Sequence, residues 1–376
     1  MSAATVAING RFLAQTPSGV QRFALELVRA LDRQLAGHAE RGAPAVELLV
    51  PDDAASLPAL DAIRVRRVAG RGGHLWDQLL RRHCSPETLL VNLANGGCVL
   101  RGNSLTVLHD AAVYRTPANF TWAYRSLHRL LGRLLALRAR IATVSAFSRD
   151  ELCQVLRLDG RRVPVIPNAW EHLAQVQPDA GIVARLGLTP GRYFLTIGSP
   201  APNKNLQRAI AGFQQLGLAD EHLVIVGRLD RAVFGAGLAE PPPQVLTPGR
   251  LSDAEVAGLL AQARALVFPS LYEGFGIPPL EAMLYGCPVL ASDIPVVREV
   301  CGPAALLFDP WQPAAIAAAM RRAIAEPDLL RQLSERGSAQ LQRYSWQHSA
   351  RLLLEALRQM TPAPEPARHP QGKTAP

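Results

Sequence analysis

The sequence predicts two α/β domains in tandem, each a parallel sheet covered by helices on both faces, and three observations carry that prediction. At 376 residues the chain exceeds the roughly 250–300 at which single cores stop growing. Short apolar runs alternate with amphipathic stretches along most of it, as strands alternate with crossover helices. The alternation lapses over residues 171–181 (EHLAQVQPDAG), which marks a linker, and then restarts.

In the first half, strands are expected at TVAI (5–8), VELLV (46–50), LLVNLA (89–94), LTVLHD (105–110), IATVS (141–145) and VPVIPN (163–168). Helices are expected over VQRFALELVRAL (20–31) and across 120–138, where apolar residues recur at helical spacing. In the second half the strands are YFLTIG (193–198), LVIVG (223–227), ALVFPS (265–270), PVLAS (288–292) and ALLF (305–308). Helices follow from Leu206, from the capping box SDAE (252–255), after Pro278 and over 346–359. The domains so defined are 1–175 and 180–345, and the Pro-rich tail 361–376 is expected to be disordered.

Composition narrows the function. No run of roughly 18 apolar residues occurs, and the N-terminus lacks a basic stretch followed by a long apolar one, so a cytoplasmic protein is expected. The five cysteines are scattered with no CxxC pair, which reads as free thiols rather than a metal or redox centre. A net charge of +9, mostly arginine, suits nucleic acid, an anionic membrane surface or phosphorylated small molecules. Aromatics are sparse and no RNA-binding signature, zinc finger or basic heptad region is present, which sets nucleic acid aside.

The chemistry concentrates in EGFGIPPLEAMLYGCPV (273–289). Gly274, Gly276, Pro278 and Pro279 are poor choices for regular structure, so local stability did not select them. The prolines suit a first helical turn, where no backbone N–H is needed, and this puts Glu281 in that turn with the glycine loop just before it. Glycines admit a ligand close to the backbone, and the free N–H groups with the positive helix end favour an anion such as a diphosphate. A carboxylate only accepts hydrogen bonds, and its two oxygens can take both hydroxyls of a ribose. An anion cradle beside a diol clamp describes a nucleotide site.

The segment EGFGIPPLEAMLYGCPVLASDIPVVREV resembles the signature of the retaining, nucleotide-sugar-dependent glycosyltransferases of family 4, with its E-x7-E element at Glu273 and Glu281. The resemblance runs from about residue 5 to 360. It implies the GT-B architecture: two Rossmann-like domains facing a cleft, with the C-terminal helix (346–360) crossing back to the first. It also implies that Glu281 holds the donor ribose, that Glu273 lies near the donor sugar, and that Gly274, Phe275, Gly276 and Ile277 meet sugar and phosphate. GSPAPNKNLQRAI (198–210) is similar to the family's phosphate-binding turn, which implies donor contacts from Ser199, Asn203 and Lys204, with Asn203 standing where an arginine is usual. Gly227, after the next strand, joins that donor set.

LHDAAVYRTP (108–117) resembles the family's first-domain His-Asp element, which assigns His109 and Asp110 to the reacting centre. SGVQRF (18–23) resembles its N-terminal loop and keeps one glycine of the usual pair, Gly19. TVSAFSRDEL (143–152) is also similar to the family's pattern, and its SRDE reads as a capping box at Ser148. In VIPNAW, Asn168 reads as a hinge residue beside the cleft.

The implied reaction transfers a hexose, mannose from GDP-mannose as the leading choice, to a saccharide or lipid-linked saccharide of a surface polysaccharide, with retention. The alternatives are donors UDP-glucose, UDP-galactose or dTDP-rhamnose, a sugar-nucleotide epimerase, and a non-catalytic binder of sugar nucleotides or membranes. No cofactor or metal is expected, since backbone N–H groups and an ammonium can meet the leaving charge and no D-x-D motif is present. Between Asp110 and Asp150 there is no acidic residue, and Arg125, Arg129 and Arg133 recur at i, i+4, i+8. That helix reads either as one resting peripherally on an anionic bilayer, at the inner face of the plasma membrane, or as a solvated basic face over an ordinary core stripe.

Overall fold

The computed structural model describes residues 6–37, 45–227 and 242–360. The tail 361–376 lies outside them. Among the described residues twelve strands build two parallel sheets of six. The first comprises β1 (Val6–Asn9), β2 (Val46–Val50), β3 (Arg64–Arg67), β4 (Leu89–Asn92), β5 (Ser104–Val107) and β6 (Arg140–Ala142), in the order β3-β2-β1-β4-β5-β6. The second comprises β7 (Tyr193–Ile197), β8 (His222–Val226), β9 (Val245–Gly249), β10 (Ala265–Phe268), β11 (Val289–Ser292) and β12 (Ala305–Phe308), in the order β12-β11-β10-β7-β8-β9. Both orders step outward and then reverse, between β1 and β4 in one sheet and between β7 and β10 in the other. Two Rossmann-like domains result, each with a switch point where a ligand crevice forms.

The central strands are apolar on both faces because helices cover both, and every residue of β4, β5, β10 and β11 is buried. The covering helices of the first half are α1 (Gly19–Gly37), α2 (His74–Leu79), α3 (Ala112–Arg115), α4 (Trp122–Arg138) and α5 (Ala146–Leu156). In the second half come α6 (Ile182–Arg185), α7 (Leu206–Gln214), α8 (Asp253–Gln262), α9 (Ile277–Leu284), α10 (Pro295–Cys301), α11 (Pro313–Ala325) and α12 (Pro327–Leu341). The last helix, α13 (Trp346–Arg358), crosses back to the first half. Trp346 meets Phe23 of α1 edge-on at 6.0 Å, and Ser349 Oγ donates to the Pro167 carbonyl at 2.7 Å.

Four expectations change. Residues 163–168 do not form a strand: Pro164 and Pro167 supply no N–H, and the segment reduces to a bridge between Thr143 and Val165. The edge strand β3 carries RVRR, too polar to register as an apolar run. The helix at Ser148 starts earlier. Ser145 is its N-cap, accepting from Ser148 N at 3.0 Å, and Ser148 lies inside with a buried side chain. Residues 171–181 are not a loose linker. Glu171 Oε2 accepts from Trp346 N at 2.7 Å, and Leu173 is buried with its carbonyl bonded to Tyr285 Oη at 3.0 Å. Cys98, Cys287 and Cys301 are buried, Cys84 and Cys153 partly so, and all five are free.

The basic helix α4 is also arranged differently. Arg129 turns inward, its Nε donating to the Val113 carbonyl at 2.8 Å and its guanidinium lying 5.6 Å from the Tyr114 ring centre. Gly132 and Leu135 are the buried positions, while Leu127, Leu130 and Leu137 face outward.

Candidate active site

The carboxyl ends of the two sheets face one another, and a cavity of about 580 Å³ opens between them. Each wall is the segment that leaves a strand at or beside a switch point. From the first half come Gly19 at the start of α1 and His109 and Asp110 beyond β5. From the second come Ser199 after β7, Gly227 after β8, and the loop from Glu273 to Ile277 after β10, with Lys204 and Glu281 beside it. Asn168 also lines the cavity; it is buried and its Oδ1 has no protein partner. Asn203 does not join them. Its Nδ2 donates to the Tyr272 carbonyl at 3.0 Å, and it lines a second interdomain cavity, one residue out of phase with Lys204.

The glycine loop is shaped by contact with the first half. A Cβ on Gly274 would collide with the His109 carbonyl oxygen, and the Gly274 carbonyl accepts from Ser145 Oγ at 2.6 Å and Ser148 Oγ at 2.9 Å. Gly276, the N-cap of α9, holds φ +96°, a region closed to most side chains. Phe275 anchors the loop, packing edge-on against Tyr344 with ring centres 5.4 Å apart. The first turns of α1 and α9 approach closely, so two positive helix ends bear on one space.

Two ion pairs stand in the cavity. Lys204 Nζ contacts Glu273 Oε1 at 2.6 Å. Arg22 of α1 donates two hydrogen bonds of 2.8 Å to Asp253 of α8 across the cleft and holds that carboxyl below the usual range. Burial pushes the Asp110 carboxyl up, against the Ala112 N–H that donates to it at 2.7 Å; Glu273 adds to the rise and Lys204 opposes it. Burial also lowers His109 to about 4 despite its hydrogen bond to the Leu93 carbonyl. The His109 Nε2 must donate to that carbonyl, at 2.9 Å, which leaves a neutral ring with Nδ1 as a lone-pair acceptor.

Residues 184–340 match the family model described as Glycosyl transferases group 1. The chain is 30% identical over 225 residues to the O-antigen chain mannosyltransferase RfbU of Salmonella typhimurium, a match covering 57% of this chain and 60% of that protein. It is 40% identical over 312 residues to the MMP alpha-(1->4)-mannosyltransferase of Mycolicibacterium hassiacum, covering 78% of this chain and 73% of the relative. The chain belongs to the glycosyl transferases group 1 family.

The fold agrees with that membership. The sucrose-phosphate synthase of Thermosynechococcus elongatus superposes with a TM-score of 0.73 at 18% identity, covering 95% of this chain and 98% of that one. At such identity the likeness speaks for the GT-B fold alone. Within this group 1 chain, the site contacts of four side chains escape sequence reasoning. Ser145 and Ser148 donate to the glycine loop from the opposite half. Glu299 of α10 caps α5, accepting from Ala146 N at 2.7 Å and Phe147 N at 2.9 Å. His172 Nε2 contacts Glu281 Oε1 at 2.8 Å from the segment read as a linker. The serines show only a capping pattern in the sequence and nothing local marks Glu299 or His172, because each partner lies more than 100 residues away in the chain.

Proposed function

We propose that this chain is a retaining hexosyltransferase that moves mannose from GDP-mannose onto a saccharide or lipid-linked saccharide of a surface polysaccharide. The observation that carries the reading is the cavity itself. Lys204, Glu273 and Glu281 converge with two helix N-termini at the switch points of facing sheets, where a nucleoside diphosphate finds both an anion cradle and a diol acceptor. The mannose assignment is supported by relatives named as mannosyltransferases.

In this reading the bond between the anomeric carbon and the diphosphate oxygen breaks with its electron pair passing to the diphosphate. Lys204 and the α9 N-terminus meet that growing charge, each removing a few kcal/mol from the barrier in a closed site, with no side-chain metal required. The acceptor hydroxyl attacks from the face the diphosphate leaves and gives its proton to a departing phosphate oxygen. His109, neutral, accepts from a sugar hydroxyl through Nδ1 and places no positive charge against the cationic sugar. Glu281 takes the ribose hydroxyls.

A lipid-linked acceptor fits the surface of α4. Leu130 is 55% and Leu137 79% exposed, with Trp122 at 73%, and Arg133 and Arg138 are exposed beside them. An apolar stripe edged by cations matches a bilayer with anionic headgroups. No helix among the described residues is long and apolar enough to cross a membrane.

The test screens GDP-, UDP- and dTDP-sugars by thermal shift against wild type and Glu281→Ala, then follows the best donor by NMR. Stabilisation by a GDP-sugar that Glu281→Ala loses, with product retaining the anomeric configuration, is expected. Absence of any sugar-nucleotide binding removes the reading, and an inverted product removes retention.

A further inference from the structure

Glu281 has a partner whose own surroundings are unusual. The His172 side chain is 1% exposed, and its Nε2 lies 2.8 Å from Glu281 Oε1. A carboxylate only accepts, so Nε2 carries the proton. The other ring nitrogen, Nδ1, is buried without a hydrogen-bond partner. The ring therefore makes one hydrogen bond, and it is spent on this carboxylate.

The backbone on either side of His172 is held. Trp170 Nε1 donates to the Leu341 carbonyl at 3.0 Å, Glu171 accepts from Trp346 N, and the Leu173 carbonyl accepts from Tyr285 Oη. Tyr285 stands one turn beyond Glu281, so α9 and the 170–173 segment are joined at both residues. His172 is thus a fixed donor against a side chain that otherwise has several rotamers.

A rival partner makes that restraint consequential. Arg22 reaches into the same cavity, and the Glu281 charge acts on it. Two carboxylates, Asp253 and Glu281, compete for one guanidinium. With Glu281 anchored on His172, Arg22 stays on Asp253. Without that anchor, Glu281 is free to swing to Arg22, where a two-pronged ion pair would consume the oxygens a ligand needs.

We propose that His172 is a positioning residue for pentose recognition, its Nε2–H fixing the Glu281 carboxylate so that the remaining lone pairs receive the hydroxyls of a nucleotide ribose. The inference rests on the ribose role of Glu281 given above. A carboxylate offers about four lone-pair sites, and one hydrogen bond from His172 leaves enough for a diol.

The experiment measures by calorimetry the binding of GDP, UDP and their 2′,3′-dideoxy counterparts to wild type, Glu281→Ala, His172→Asn, His172→Leu and His172→Gln. Wild type should favour the ribonucleotide by at least about tenfold, since the remaining lone pairs of a shielded carboxylate go unsatisfied against a ligand lacking its hydroxyls. Glu281→Ala should abolish that preference. His172→Asn, too short to reach, and His172→Leu should reduce it to about threefold or less, while His172→Gln, which keeps an N–H near the same place, should retain most of it. The Asn variant decides the matter if the Leu variant does not fold. A purely structural histidine would weaken both ligands equally and leave their ratio intact. A wild-type ratio in His172→Asn, with Glu281→Ala losing it, overturns the inference and leaves the Glu281 clamp standing. No ribose preference in wild type, or one that survives Glu281→Ala, overturns the clamp and the inference with it.

Discussion

Replacing Gly274 by alanine should disable the site while leaving the fold intact. The residue is not in a left-handed conformation, so alanine meets no backbone penalty and the effect is confined to space. The added Cβ would collide with the His109 carbonyl oxygen and would sit 3.1 Å from Asp110 Cβ. The oxygen belongs to the backbone just beyond β5 and cannot swing away as a side-chain tip would. Restoring an ordinary C···O contact requires the glycine loop to withdraw by about 1 Å. The hydrogen bonds from Ser145 at 2.6 Å and Ser148 at 2.9 Å would then stretch beyond reach. Losing two such bonds costs about 1–3 kcal/mol, so the joined arrangement of the two halves should become about 5- to 150-fold less populated. The assay is kcat/KM for donor turnover, with the thermal midpoint as a control; the double variant Ser145→Ala, Ser148→Ala should show a fall of the same order. A Gly274→Ala enzyme within twofold of wild type would mean that this contact does not govern the site.

Two further outcomes are expected. Because burial lowers the folded His109 to about 4 from its usual 6.5, the unfolded chain binds a proton first as pH falls, and stability is lost between 6.5 and 4. That contribution amounts to about 2 kcal/mol between pH 7.5 and 5, and denaturant titrations should find it missing from His109→Gln. On the surface, Leu130→Ser with Leu137→Ser should sharply reduce co-sedimentation with vesicles containing phosphatidylglycerol, as should Arg133→Gln with Arg138→Gln. Arg129→Gln should act through stability instead, since Arg129 is bound to α3 carbonyls; unchanged sedimentation in the first two variants removes the membrane surface.

What the sequence discloses follows from the range over which each feature is decided. Buried parallel strands such as LVIV and ALVF announce themselves because helices on both faces demand apolar residues at every position. The glycine loop stands out because Gly274, Gly276, Pro278 and Pro279 conflict with regular structure. Strand β3 is hidden because an edge strand needs no apolar run. His172 reads as one polar residue in a polar segment, and its meaning arises only when Glu281 arrives at 2.8 Å. Arg129 shows the converse. Spacing places it on a basic face, but the neighbouring α3 offers bare carbonyls, and a guanidinium with five donors turns toward them.

The Lys204–Glu273 pair sets a last test, because the same ammonium cannot fully serve both partners. In the structure it is held by Glu273 at 2.6 Å, with both side chains largely shielded, at 24% and 12% exposure. A diphosphate arriving at Lys204 must draw the ammonium from that carboxylate and lie near its negative charge, with Asp110 close by as well. Removing the Glu273 charge frees the lysine and lifts the repulsion, so Glu273→Gln should bind nucleoside diphosphate more tightly than wild type, by about 1 kcal/mol or fivefold, an order of magnitude suited to a partly screened pair. Turnover should move the other way, since the carboxylate expected near the donor sugar is gone and the product leaves more slowly. Calorimetry with GDP and steady-state rates on one preparation read the two together. Tighter product binding with slower transfer supports the division of labour, whereas weaker binding would show that Glu273 orients Lys204 toward the phosphate instead of holding it back.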